Sequence, residues 1–294
     1  MNTHTRTTVA LSLAATLTIV AAGCTAIGSD ATTSTDLTPP AISHVHDIAF
    51  DANGDLLVGS HDGVFQIDLE TNEMSLLGDA SFDAMGLTVQ ADTVLASGHP
   101  GPNSPDTFET PNVGLVRYTD PEWEVVSLAG ITDFHAIAAT PAAPELLLGL
   151  PSDRAYLTAS TDAGATWHDV TALTARDLSV DTMQPKIVTA TTPDGVMVSR
   201  DTGATFSPLA NAPRLFIIAA DPTIEEGLIG VDTDGTIWTG TTRPGGVWSI
   251  VGQATGGATA IAAEPGTVAI ADEGGLRVTD DGGETWQLVT KTGA

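Results

Sequence analysis

The chain has 294 residues, with 37 acidic side chains against 10 basic ones and a formal net charge of −27. So negative a surface excludes nucleic acid and basic-patch attachment to anionic lipid, and it suits a protein kept soluble outside the cell. The single cysteine, Cys24, excludes an internal disulfide.

The first element in chain order is a targeting segment, residues 1–23. Met1 to Thr8 holds one Arg and no acid, Val9 to Ala22 is apolar, and Ala21-Ala22-Gly23-Cys24 follows. A basic start, an apolar stretch of this length and small residues at a cleavage point describe a signal peptide rather than a spanning helix. The tetrapeptide resembles a bacterial lipobox. That resemblance implies that Cys24 is lipidated and that the exported protein is anchored to the outer face of the bacterial cytoplasmic membrane. Residues 24–42, rich in Ser, Thr, Asp and Pro, cannot bury a core and read as a flexible tether. No other segment is apolar and long enough to span a bilayer, so acyl chains would supply the membrane attachment.

Residues 43–294 have almost no helical periodicity. Short apolar runs alternate with Asp-Gly, Pro and Gly-Gly punctuation, which predicts many short strands. Six segments align with one another, beginning at His46, Met85, His135, Arg176, Phe216 and Thr259. A repeat of this length in an all-β chain predicts a β-propeller of about six four-stranded blades. Second strands are expected at Leu56–Ser60, Val94–Gly98, Glu145–Leu150, Ile187–Thr191, Gly227–Val231 and Thr267–Ala271. The small first segments suit innermost strands crowded around a channel.

A more specific motif follows the third strands. Ser160-Thr161-Asp162-Ala163-Gly164-Ala165-Thr166-Trp167 has the form S-x-D-x-G-x-T-W. Ser199, Asp201, Gly203 and Phe206 repeat it with Phe for Trp, and Thr279, Asp281, Gly283 and Trp286 with Thr for Ser. Thr241 to Trp248 is a decayed copy with Arg243 in place of Asp, and Thr119 to Trp123 a shortened one. Hydroxyl and carboxylate bond the backbone of a tight turn, Gly takes a conformation other residues avoid, and the aromatic packs between sheets. These residues are structural staples.

The motifs resemble the BNR/Asp-box repeats of sialidase-like propellers, over essentially all of residues 43–290. The phrases His44-Val45-His46, Ser60-His61-Asp62-Gly63, Met85-Gly86, Ala96-Ser97-Gly98-His99-Pro100 and Asp133-Phe134-His135-Ala136 further resemble bacterial lipoproteins usually labelled glycosyl hydrolase or exo-sialidase. Sialidases use three Arg for the substrate carboxylate, a Tyr–Glu nucleophile pair, an Asp acid/base and a Phe/Tyr-Arg-Ile-Pro motif. That motif does not occur here. The two tyrosines, Tyr118 and Tyr156, fall in third strands, while Glu145, Glu225 and Glu226 fall at the opposite face.

In an antiparallel blade the start of the first strand and the end of the second share a face. His44, His46, His61, Met85, His99 and His135 therefore converge there from blades 1 to 3. Such a set suits copper, or less specifically zinc; the alternative is imidazoles that bond carbonyls around the channel. Arg154, Arg176 and Arg214 fall near the same face, as a carboxylate or sulfate cradle or as partners of surface acids. The segment Pro100 to Pro111 is expected to be a long loop there, a lid or a docking loop.

Two functions stay open. One is a non-catalytic extracytoplasmic binding protein, expected as a monomer, holding copper, zinc or a small ligand. The other is a sialidase-like glycoside hydrolase acting on an anionic extracellular glycan, with the three Arg on the anion and Asp47, Asp83 or Asp133 as candidate acids. A protein-docking scaffold would need only the propeller rim.

Overall fold

The computed structural model describes residues 42–293. The expected signal peptide, Cys24 and nearly all of the tether lie outside the described residues. Among the described residues no helix is long and apolar enough to cross a membrane. The architecture is all-β, with six antiparallel four-stranded sheets.

Each sheet is one contiguous stretch of chain. Blade 1 holds β1 (Val45–Phe50), β2 (Leu56–Ser60), β3 (Gly63–Ile67) and β4 (Met74–Leu76). Blade 2 holds β5 (Ser81–Gln90), β6 (Thr93–Asn103), β7 (Gly114–Thr119) and β8 (Glu122–Ser127). Blade 3 holds β9 (Phe134–Ala139), β10 (Leu147–Pro151), β11 (Tyr156–Ser160) and β12 (His168–Ala172). Blade 4 holds β13 (Asp177–Val180), β14 (Val188–Thr192), β15 (Gly195–Ser199) and β16 (Ser207–Pro208). Blade 5 holds β17 (Leu215–Asp221), β18 (Gly227–Asp232), β19 (Thr236–Thr241) and β20 (Ser249–Gln253). Blade 6 holds β21 (Ala258–Glu264), β22 (Thr267–Asp272), β23 (Gly275–Thr279) and β24 (Gln287–Thr290). Every first strand packs on the first strands of both neighbouring blades, and β21 packs on β1, so the six form a closed ring.

Side-chain size allows that ring. A Cβ on Gly86 would stand 2.5 Å from the carbonyl oxygen of Phe134 in the next blade, so no larger residue fits without moving backbone. Blades 1 and 4 add a polar clip. Asp47 accepts the N–H of Leu87 at 2.9 Å and Asp177 that of Ile218 at 2.8 Å, each tying its first strand to the next blade's. Burial pushes the Asp47 carboxyl up to about 8 and raises that of Asp177, against the pull of those N–H bonds. Both line the central channel, of about 210 Å³.

The core lies between blades, as a separate apolar cluster at every interface. At five interfaces the aromatic of the turn motif or its degenerate copy wedges against the preceding blade: Trp123, Trp167, Phe206, Trp248 and Trp286. The closing interface between blades 6 and 1 is filled instead by Ile42, Phe65, Ala271, Leu276 and their neighbours. A parallel bridge between Ile42 and Thr292, with the Gly293 N–H on the Ile42 carbonyl at 2.7 Å, fastens the ends of the ring.

The turn motif is a bonded unit in all three full copies. Ser160 Oγ donates to Asp162 Oδ1 at 2.8 Å and accepts the Gly164 N–H at 2.8 Å. Asp162 also accepts the backbone N–H of Thr166 at 2.8 Å and its hydroxyl at 2.6 Å. The same bonds recur around Asp201 and Asp281. Gly164 has φ of +90°, a left-handed conformation that favours glycine, and a Cβ there would strike Leu115 of blade 2. Bonds from Thr166 and Ser160 hold the Asp162 carboxyl down to about 2, and those from Thr285 and Thr279 do the same for Asp281.

Blade 2 departs from expectation. Pro100 to Asn103 are not loop but the end of β6, paired with a β5 that begins as early as Ser81. The remainder is no lid: Phe108 is buried and packs edge-on against Phe82, ring centroids 5.5 Å apart.

Asp177→Ala strips the Ile218 N–H of its partner and should cost about 1–3 kcal/mol. In a domain of this size that is a drop of roughly 2–10 °C in melting temperature, smaller for Asp177→Asn, measurable by calorimetry. The box carboxylates titrate lower in the folded than in the unfolded chain, so their stabilisation is full above about pH 4 and is lost as pH falls towards 2. Denaturant titrations of Asp162→Asn and wild type should therefore differ most near neutrality, and the gap should narrow across that window.

Candidate functional site

Register irregularities lie at one face. The first-to-second strand pairing shifts between Val45 and Asp47, between Ala84 and Gly86, between Leu215 and Ile217 and between Ala258 and Ala260. In blade 3 the shift lies opposite the step from Phe134 to Ala136. His46, Met85, His135, Phe216 and Thr259 are thus the extra residues of equivalent β-bulges, which re-aim a side chain and end the regular pairing. In blade 4 Arg176 precedes the strand, with its N–H on the Thr191 carbonyl at 2.8 Å. The aligned segments found in the sequence begin at this structural feature.

Two groups form around these bulges. In the first, His46 Nε2, His61 Nδ1 and Asp83 Oδ1 make a closed triangle with sides of 3.2, 3.0 and 2.9 Å. The His44 ring stacks on His61 at 5.3 Å and meets His46 edge-on at 4.9 Å. Burial is the main cause that brings His46 down to about 4; Asp83 opposes it, and the neighbouring imidazoles add to it. His46 is therefore a neutral imidazole at pH 7, the form that ligates metals.

The second group is His99, Asp133 and His135. Asp133 Oδ2 lies 3.0 Å from His135 Nε2 and 3.7 Å from His99 Nε2. The Asp133 side chain is fully buried, yet Oδ2 has no aligned hydrogen-bond partner. Its other oxygen accepts from Ser152, and His99 Nδ1 lies 3.1 Å from the Pro111 carbonyl. A carbonyl only accepts, so Nδ1 carries a hydrogen there and Nε2 is the nitrogen turned towards Asp133. Burial works against the Asp133 carboxylate, but His135, Ser152 and His99 outweigh it and hold it below the usual carboxylate range.

The six predicted His and Met positions thus divide. Three His go to the first group and two to the second, while Met85 occupies the blade-2 bulge between them, two residues after Asp83. The carboxylates Asp83 and Asp133 belong to these groups, although the sequence suggested them only as hydrolase acids. Their signal was present: each stands two residues before a bulge, the place His44 takes in blade 1 and Arg214 in blade 5.

The arginines do not converge as three. Arg154 is held by Asp153 and Asp169 at 3.0 and 3.1 Å, away from the other two. Arg176 and Arg214 border one groove of about 360 Å³ between blades 4 and 5. There the Arg176 guanidinium sits 5.1 Å over the half-exposed Phe216 ring, and Arg214 donates to the Pro193 carbonyl at 3.1 Å.

The BNR/Asp-box repeat model matches residues 277–288, the last of the three boxes. No curated protein matches the chain. Among solved structures it is similar to a GH74 xyloglucanase from Xanthomonas campestris, at 18% identity and TM-score 0.53, over 84% of this chain and 45% of that one. A GH74 enzyme from Niastella koreensis is similar at 17% identity and TM-score 0.58, over 85% and 38%. A nidogen/laminin complex structure is similar at 13% identity and TM-score 0.62, over 77% and 89%. The chain spans less than half the length of the two GH74 proteins, and likenesses at these identities concern the fold. Repeat, blade count and neighbours agree on the fold: the chain is a six-bladed β-propeller whose last turn motif matches the BNR/Asp-box repeat.

Proposed function

We propose that this protein is an exported lipoprotein, anchored through Cys24, whose propeller binds a divalent transition metal, zinc or copper, at the His99–Asp133–His135 group. One observation carries this: a fully buried carboxylate oxygen without an aligned hydrogen-bond partner, facing two imidazole nitrogens. A buried carboxylate oxygen met only by ion-pair contacts is incompletely satisfied, and a cation between the three donors would complete its coordination. The spacing fits. Ligands about 2.0–2.1 Å from a tetrahedral zinc ion lie roughly 3.3 Å from one another, and the distances here bracket that figure. Two imidazoles and a carboxylate favour Zn(II) or Cu(II) over the Cu(I) that a thioether would select. The Pro111 carbonyl and the Ser152 hydroxyl supply the outer shell that orients metal ligands. Both His are about two-fifths exposed, which leaves a further coordination position open to solvent.

The measurement is a thermal melt of chelator-treated protein with added zinc or copper. At free metal about 100 times Kd the gain is about 2.7 kcal/mol, a rise of roughly 5–10 °C in a domain of this size. The double variant His99→Gln/His135→Gln should show none. Absence of any rise in the wild type at millimolar metal would sink the proposal.

A second reading, an enzyme acting on an anionic glycan, is favoured by one observation. Five of the seven arginines among the described residues are ion-paired, and the two that are not, Arg176 and Arg214, share a groove with an exposed aromatic ring. No turnover of a fluorogenic sialoside is expected, because the Tyr–Glu pair is missing. Turnover that disappears in Arg176→Ala would establish the enzyme instead.

A further inference from the structure

The geometry points to a second metal site in the same propeller, His46–His61–Asp83, two of whose three donors are related to those of the first by a one-blade step of the repeat. This rests on the metal reading of the Asp133 group and deepens it. Each group combines the His that follows the second-strand partner of the residue before a bulge (His61 after Ser60, His99 after Gly98) with an Asp two residues before the bulge of the next blade, Asp83 and Asp133. The third donor is a bulge histidine, taken from the earlier blade in one case (His46) and from the later blade in the other (His135). Met85, the bulge residue between them, is the position neither group uses.

The three donor atoms at Asp83 are mutually 2.9–3.2 Å apart, close to one face of a zinc tetrahedron. His44 stacks on His61 and steadies its ring.

The two sites are unequal. At Asp133 a metal would meet an oxygen that has no aligned hydrogen bond, whereas at Asp83 it must replace contacts already made among the three side chains. Asp83 and His99 are register partners on β5 and β6, so their backbones are about 5 Å apart and the second dication enters against the charge of the first. Binding is therefore stepwise: one ion at Asp133, then one at Asp83, weaker by about tenfold or more.

Calorimetric titration of zinc into the full chain in detergent micelles, with bound metal counted by atomic emission, tests this. Two equivalents in two steps are expected. Asp83→Asn and the more exposed His61→Gln should each abolish only the weak step, and His99→Gln only the tight one, with circular dichroism confirming the fold of each variant. A single equivalent untouched by Asp83→Asn overturns the second site and leaves the Asp133 site standing. A single equivalent lost in variants of either group means one shared ion and also overturns it. Zinc retained at Asp83 but not at Asp133 overturns the function proposed above and leaves this site.

Discussion

The closing of the ring is the constraint on which everything else depends. Six first strands must each lie against two others, and backbone can approach backbone only where side chains are small or absent. Gly86 against the Phe134 carbonyl shows how little space remains. The same crowding brings Asp47 and Asp177 within reach of the next blade's N–H groups, so that polar clips replace part of the packing at blades 1 and 4. A carboxyl in such a place is costly to ionise, which is why burial raises both.

Outward from the channel the problem reverses, because sheets that touch at the centre diverge towards the rim. Large side chains fill the widening gap, and the turn motif places one there at five of the six interfaces. Its hydrogen bonds fix a turn on the surface of one blade so that Trp or Phe lands on its neighbour. The closing interface has no such aromatic and relies on the Ile42–Thr292 bridge and aliphatic packing. Chain ends and repeat units thus answer the same geometric need by different means.

Bulges connect this framework to chemistry. A regular first strand sends alternate side chains into the two interblade cores that flank it, as Ala136 and Ile137 do. The extra residue breaks that alternation at the face where the strand starts, and His46 and His135 leave the packing register there. Because the bulge repeats from blade to blade, a donor set assembled at one interface can be assembled again at the next. Blades 1 to 3 carry His and Asp at these places. Blades 4 and 5 carry Arg176, Arg214 and Phe216 around one groove, so the two sides of the face differ in side-chain chemistry.

Much of this was legible in the residues themselves. The period of the aligned segments set the number of blades, and the turn motif marked the passage from third to fourth strand. Antiparallel connection was enough to bring the histidines to one face, since strand direction follows from chain order. Tertiary structure alone decided the rest. Which histidine meets which carboxylate depends on the lateral contact between neighbouring blades, which no alternation within a strand encodes, so Asp83 and Asp133 became visible as partners only in the closed ring. Arg154 does not line the groove of Arg176 and Arg214 and is instead paired with Asp153 and with Asp169 on an outer strand. Pro100 to Asn103 became strand because β5 extends back to Ser81 to meet it. Local sequence specified elements and their order; the ring determined which side chains became neighbours.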